Sequence, residues 1–428
     1  MNKKFKLIVT MLVLGLCWSI VYVVPFIQYI FYDPFREVIG CTNAQLGLLM
    51  TVYGFGNIFG APIGGWIADR FNYKKVYLAS LLLNSIFSFL FVIKPIYQMA
   101  MMMWIGFAIA SLVFNYPSHI KIVRGLVPDE DQGKIFGINE SCVGIGNIIF
   151  NSIMMFLFTR FLQGTGGIKA AIVGIGCLSL VCLVGAWFVI EDPKKAKQND
   201  VFNSEETEKM TVKDSINILK NPSTWMVGIS IFTIYSFFTT MSYFTPYFTD
   251  VLGVTVVFSG VVAIVRTYGM TLFGAPIGGT LTDKLKSPSK VLLGVNILGI
   301  LGLIVLLNLN KSVSPTLLIC LTLIMSFAVY VGRGSYYAVI TEVNIPKRYT
   351  ASTIGIAAAL GFSPDVFQFI LFGHWLDTYH QRAYTFMFIY QLIVLTLGIF
   401  VAIWILKNKH KMNVIENKPN KEIELNKV

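Results

Sequence analysis

Charge is what this sequence has least of. Only 13% of its 428 residues are Asp, Glu, Lys or Arg, about half the roughly 25% of a soluble domain. With 55% apolar side chains and a mean hydropathy of +0.68, such a chain cannot cover itself with polar surface. An ordinary soluble globule is excluded, and lipid must solvate the outer faces. Histidine is nearly as scarce. His119, His374, His380 and His410 are the only four, and they are too scattered to build a metal or nucleophile constellation. The six cysteines, Cys17, Cys41, Cys142, Cys177, Cys182 and Cys320, lack metal or redox spacing and imply no disulfide framework. Most lie in apolar stretches as small hydrophobes. No GxxxxGK[ST] phosphate loop occurs, so ATP is not the expected energy source. No cofactor, no metal and no enzymatic activity are expected. The net charge of +12 does not point to nucleic acid, because the basic residues fall in short clusters between apolar runs.

Those apolar runs are what the sequence has in abundance. Twelve are long enough to cross a bilayer, which takes about 20 residues: 5–32, 43–69, 73–94, 97–123, 134–160, 168–190, 223–249, 255–282, 289–309, 314–341, 349–376 and 382–407. The N-terminal run is too long for a cleaved signal and has no small-residue cleavage site, so it is expected to remain as the first span. A polar stretch, EDPKKAKQNDVFNSEETEKMTVKDSINILKNPS, separates spans six and seven, and TEKMTVKDSINILKN within it is expected to form an amphipathic surface helix. The expected organisation is therefore a six-helix bundle at 1–190, a linker at 191–222, a second bundle at 223–408 and a disordered tail at 409–428. Lys and Arg concentrate at the N-terminus, in the even-numbered connections and in the linker. The positive-inside rule then puts both termini in the cytoplasm.

One sentence is written twice. FGAPIGGWIADR at 59–70 returns as FGAPIGGTLTDK at 273–284, half the chain later. A weaker register pairs Pro128 and Gly137-Ile138 with Pro346 and Gly355-Ile356; on it Asn115 matches Arg333, Asn147 matches Asp365 and Arg124 matches Glu342. Gly60, Gly64 and Gly65 are expected to let helices approach closely.

Two similar six-span halves with this motif between spans two and three resemble the major facilitator superfamily over essentially the whole chain. That family's loop reads Gly-x-x-x-Asp-Arg/Lys-x-Gly-Arg-Lys/Arg; here it runs from Gly65 through Asp69 and Arg70 to Lys74. Asn72 stands where the turn glycine is expected, a residue that also tolerates positive φ, and Tyr73 replaces a basic residue. The resemblance implies an all-α membrane fold of twelve transmembrane helices in two parallel-repeat bundles, alternating access, and a conformational latch formed by Gly65, Asp69 and Arg70 with the second copy's Asp283 and Lys284. In that picture Asp69 pairs with helix ends of the other half in the outward-facing state.

Ionisable residues at membrane depth are costly and mark function. Arg266, Arg333 and Asp365 lie about ten residues from a span end, roughly 15 Å deep. Two Arg and one Asp leave a positive site, and an Arg fork matches carboxylate, sulfonate or phosphate oxygens. A small anionic substrate is expected there. Asp365 either pairs with an Arg until substrate displaces it or carries a coupling proton; a buried structural ion pair is the bland alternative. Asn115, Asn147, Gln28, Tyr22 and Tyr235 are the further substrate-binding candidates, and Tyr29, Thr239 and Tyr243 lie beside them. Gly332 and Gly334 flank Arg333 and make room for either a ligand or a helix. Lys121, Arg124 and Glu140 are expected to form a gating pair nearer the surface, and His119 to be a satisfied buried histidine.

Within the family, FREVIGCTNAQLGLLMTVYGFGNIFGAPIGGWIADRF looks loosely like bacterial organic-anion and nitrate/nitrite porters. The Asn of the nitrate signature is missing from span eleven and span two has no Arg at depth. The organophosphate antiporters' Arg residues in spans one and seven are also missing. A sugar acid, carboxylate, sulfonate or phosphate ester is the expected cargo class. The expected protein is a monomeric secondary transporter in contact with membrane lipid, in a bacterial inner membrane, with a proton as candidate coupling ion. The rival readings are a drug or metabolite efflux pump and a non-transporting membrane sensor.

Overall fold

The computed structural model describes residues 3–127, 132–191, 218–308, 314–343, 345 and 350–416. No strand occurs among them. The helices are α1 (Lys3–Val23), α2 (Tyr32–Ile39), α3 (Asn43–Arg70), α4 (Tyr73–Ile93), α5 (Tyr97–Arg124), α6 (Gln132–Arg160) and α7 (Gly164–Val189) in the first half. The second half holds α8 (Pro222–Ser242), α9 (Phe244–Asp250), α10 (Val256–Leu285), α11 (Pro288–Asn308), α12 (Pro315–Arg333), α13 (Thr350–Gly361), α14 (Pro364–Tyr379) and α15 (Arg382–Glu416). Eleven membrane-length apolar helices are present among the described residues, and α3, which turns 98° away from α2, makes a twelfth. The expected linker helix, most of the linker, Lys347, Arg348 and the end of the tail lie outside the described residues.

Several expected spans are broken, each for a local reason. The first helix stops at Val23, because Pro25 offers no N–H; a 3-10 turn, Ile27–Tyr29, follows. The seventh span bends at Tyr243, between α8 and α9. The tenth ends at Arg333, where Gly332 and Gly334 weaken the helix, and continues as a 3-10 segment, Tyr336–Glu342. The eleventh breaks between Gly361 and Pro364, whose ring cannot sit in a continuous helix. Two spans contain π-helical turns, Ile109–Asn115 in α5 and Val265–Gly269 in α10. Such turns free a backbone carbonyl, and here Ser326 Oγ donates to the freed carbonyl of Arg266 at 2.6 Å.

The repeated sentence proves to be a packing device. A Cβ on Gly60 would press on Leu112 at 3.3 Å, and one on Gly64 would collide with the carbonyl of Val113. In the second copy a Cβ on Gly274 would press on Tyr330 at 2.6 Å, and one on Gly278 would collide with the carbonyl of Val331. The same two positions therefore seat α3 on α5 and α10 on α12. Gly65 and Gly279 differ from the expectation: a Cβ on either meets nothing within 4 Å. Asn72 likewise has φ −66°, not a positive value, and works as the N-cap of α4, accepting from Lys75 N at 3.2 Å.

Among the described residues, the hydrogen bonds between the two halves gather at one end. Helix α14 lies along α3: Gly47 packs on the backbone of Phe369, Gly54 on Asp365, and Gly373 on the backbone of Asn43. Thr51 Oγ1 donates to the Val366 carbonyl at 2.8 Å. Beside them Thr245 Oγ1 donates to the Tyr29 carbonyl and Thr249 Oγ1 to Asp33 Oδ2, both at 2.7 Å. Beyond the break, α13 leaves α3 and packs on α8 instead, with Gly228 against Leu360 and Gly361 against Ile231. The molecule is thus closed at the α2 end. Among the described residues no hydrogen bond joins the halves at the opposite end, where the repeated motifs finish.

Candidate functional site

The helix breaks put the charged residues at helix ends. Asp365 falls in the first turn of α14 and Arg333 in the last turn of α12. The partial positive charge at a helix N-terminus favours the carboxylate, and the partial negative charge at a C-terminus favours the guanidinium, each by about 0.3–1 kcal/mol. That is small beside the cost of a charge at membrane depth, so hydrogen bonds and ring contacts within the protein must supply the rest.

Arg333 is half-buried and surrounded by rings. Its guanidinium carbon lies 4.3 Å from the ring centroid of Phe238, 5.5 Å from that of Tyr330 and 5.9 Å from that of Tyr235. Tyr336 also lies against it. Among the described residues no carboxylate lies within ion-pair distance of Arg333. Two carboxylates, Asp365 and Glu140, flank its surroundings. Asp365, 2% exposed, accepts a hydrogen bond from Tyr235 Oη at 2.8 Å. Tyr29 stands within electrostatic reach of both Asp365 and Arg333, and its buried hydroxyl has no partner among the described residues.

The other expected residues separate into those that join this centre and those that do not. Tyr22 is half-buried and reaches this centre through the ring of Phe26; Asn147 is half-buried on α6. Arg266 does not reach it. It is 0% exposed, lies 5.9 Å from the ring centroids of Phe244 and Phe248, and donates to Thr245 Oγ1 at 2.8 Å. Tyr330 stands within reach of both Arg side chains and so lies between them. Asn115 is fully buried and donates to Ser80 Oγ at 2.9 Å. Gln28 is buried in its 3-10 turn. Gly332 and Gly334 turn out to seat helices, Gly332 on Ile234 and Gly334 on the backbone of Ala275.

The gating group is rearranged. Lys121 Nζ donates to the Ala68 carbonyl at 2.9 Å, as expected of a cation near a helix C-terminus. Glu140 makes no ion pair with Lys121 or Arg124 among the described residues; the cation that acts on it is Arg333 of the other half. His119 is satisfied as expected, with Tyr77 Oη at 3.1 Å from Nδ1 and Asn139 Oδ1 at 3.0 Å from Nε2. Of the latch, Arg70 stacks over Trp66 at 5.3 Å, and Asp283 and Lys284 are exposed. The side chain of Asp69 lies outside the described residues. No ion pair joins Arg70, Asp283 or Lys284 to the opposite half among the described residues.

Sequence inspection singled out Tyr22, Tyr29 and Tyr235 but passed over Trp18, Phe26, Tyr116 and Phe238. Trp18, Tyr22 and Phe26 recur every four residues on α1 and the turn after it, with centroids 5.4 and 6.4 Å apart. Trp18 continues to Tyr116 at 5.5 Å, and Phe26 to Tyr29 at 5.1 Å. Tyr29 meets Phe238 at 6.0 Å, and Tyr116 lies within reach of Tyr336 and Glu140. The circuit closes through Arg333. The four-residue spacing of Trp18, Tyr22 and Phe26 was the signal available in the sequence.

Comparison with known proteins agrees with this architecture. The chain is 27% identical over 381 residues to the inner membrane protein YqcE of Escherichia coli K12, covering 88% of this chain and 89% of the relative. It is 28% identical over 366 residues to the inner membrane protein YihN of the same organism, covering 85% and 86%. Among solved structures, a bacterial homolog of the human lysosomal transporter Spinster, inward-facing and unoccupied, superposes with a TM-score of 0.71 at 15% identity, over 96% of this chain and 98% of that one. The family model of the Major Facilitator Superfamily matches residues 7–367, and the chain belongs to that superfamily of membrane transporters.

Proposed function

We propose that this protein is a secondary active transporter that moves a small organic anion, a sugar acid, carboxylate, sulfonate or phosphate ester, by alternating access. The observation that carries the reading is Arg333: a guanidinium at membrane depth, half-buried, with no carboxylate within ion-pair distance among the described residues. A half-buried cation with no ion-pair partner is costly, and an anionic cargo supplies one. Asp365, held by Tyr235, and Glu140 beside Arg333 are the groups that would carry a coupled proton. The two bundles at 1–190 and 223–408 rock about this centre, joined by the linker at 191–222, with the tail at 409–428. The Lys and Arg bias sets both termini in the cytoplasm of a bacterial cell, so the closed α2 end faces outward. The names of the two relatives as inner membrane proteins support that location. Gly65, Asp69, Arg70, Asp283 and Lys284 act as the latch of the opposite, outward-facing form.

The test is uptake into proteoliposomes containing the purified full chain. Radiolabelled glucuronate, gluconate, methanesulfonate and glycerol phosphate are offered with and without an acid-outside pH gradient. Saturable accumulation of at least one anion, lost in Arg333→Ala, is expected. If no anion is accumulated and ethidium is extruded instead, the efflux reading replaces this one.

A further inference from the structure

The aromatic circuit constrains the shape of the anion. From Cys17 to Tyr32 the chain is almost wholly buried, and the exceptions are Trp18, Tyr22 and Phe26. They share one face and make a wall about 12 Å long, at 1.5 Å per residue. Tyr116, 40% exposed, extends the wall from α5. Facing it across the halves stands Arg333 with Phe238, Tyr235 and Tyr330. The buried Tyr29 hydroxyl, unpartnered among the described residues, lies between Asp365 and Arg333. A buried hydroxyl without a partner calls for a ligand that brings one.

Resting on the anion reading above, we propose that the substrate is a sugar acid in its closed ring form, its ring face lying on Trp18, Tyr22 and Phe26, its acidic group on Arg333 and a hydroxyl on Tyr29. The C–H face of a pyranose is apolar and weakly positive, which suits the negative face of an aromatic ring. Its hydroxyls lie at the edge, and Tyr22, Tyr29 and Tyr116 are the phenols of this circuit that could meet them. An open-chain acid of the same composition could reach Arg333 as well. It would cover the wall only by freezing several rotors, at about 0.5–1.5 kcal/mol for each flexible group immobilised. A ring without hydroxyls would cover the wall but leave Tyr29 unpaired.

The experiment is equilibrium binding of radiolabelled glucuronate to the purified full chain. Its competitors are gluconate, an open-chain acid of equal charge and carbon number, cyclohexanecarboxylate, a ring without hydroxyls, and glucose, a ring without charge. Glucuronate should compete about tenfold more strongly than gluconate and also more strongly than cyclohexanecarboxylate, and glucose should be weakest. Trp18→Ala should bring glucuronate down to the level of gluconate and leave gluconate unchanged; Tyr22→Leu does the same service if Trp18→Ala fails to fold. Tyr29→Phe should remove the preference for glucuronate over cyclohexanecarboxylate. Gluconate competing as well as glucuronate, or a preference that survives in folded Trp18→Ala and Tyr22→Leu, overturns this inference while leaving the anion reading standing. If no acid binds at all, the anion reading falls and this inference with it.

Discussion

Asp377, at the end of α14, caps the N-terminus of α3 in the other half of the molecule through Asn43. The backbone and side-chain nitrogens of Asn43 donate to Asp377 Oδ1 at 2.9 and 2.8 Å, and Ala44 N donates to Oδ2 at 2.8 Å. A carboxylate on two orphan amides of a helix start is a favourable contact, and this one exists only while the α2 end is closed. Asp377→Ala should weaken the closed form by about 0.5–2 kcal/mol, the usual value of a cap. Phe26→Cys in a background with Cys41, Cys177 and Cys320 replaced by Ser should then react faster with an impermeant maleimide applied from the α2 side. Asp377→Asn, which keeps an acceptor, should fall between. Unchanged labelling in Asp377→Ala would mean the cap does not hold the closure.

The paired glycines make a sharper prediction because adjacent positions differ. Gly64→Ala and Gly278→Ala each drive a methyl into a facing carbonyl and should destabilise by about 1–3 kcal/mol, as overpacking does. Gly65→Ala and Gly279→Ala meet open space and should be neutral, or more stable by up to about 1 kcal/mol through helix propensity. Thermal unfolding in detergent separates the pairs. Equal effects at 64 and 65 would refute the packing assignment.

Tyr235→Phe keeps the ring beside Arg333 and removes the donor to Asp365. A hydrogen bond to a charged group is worth about 1.5–3 kcal/mol, so the unfolding midpoint should drop clearly, while Tyr243→Phe, which loses only a bond to the Phe369 carbonyl, should drop less. A Tyr235→Phe midpoint equal to wild type would show that Asp365 does not depend on this donor.

Arg266 is expected to be dispensable for binding. Its Nε and Nη1 lack partners among the described residues, and replacing a poorly paired buried charge by an apolar side chain of similar size is often neutral or stabilising. Arg266→Met should keep its midpoint within about 1 kcal/mol of wild type or above it, with anion binding intact. Loss of binding in a folded Arg266→Met protein would return Arg266 to the substrate site.

Much of the fold was legible because lipid enforces simple rules. Span length and the doubled FGAPIGG follow from bilayer thickness and close helix packing. The sequence also exposed Arg333, Asp365 and Tyr235, since charge at depth is rare. It could not say that Arg266 and Arg333 are separated, because both sit at similar depth and only the position of Tyr330 between them distinguishes their roles. Nor could it separate Asn115 from Asn147: matching register does not reveal that one is fully buried against Ser80 and the other only half-buried. Helix breaks were hidden because Pro25, Pro364 and the glycines beside Arg333 interrupt geometry without interrupting hydropathy. The aromatic wall was lost among the 34 Phe, 19 Tyr and 7 Trp residues of the chain, most of which pack or face lipid.

Arg333 carries the central claim, and binding measured on three proteins tests it most directly: wild type, Arg333→Lys and Arg333→Ala, all titrated with the same panel of small organic anions and with thermal unfolding as the check on folding. Removing the guanidinium should cost about a hundredfold in affinity or more, with Arg333→Lys recovering part of it through charge without the bidentate fork. Folded Arg333→Ala that binds anions as tightly as wild type would contradict the account.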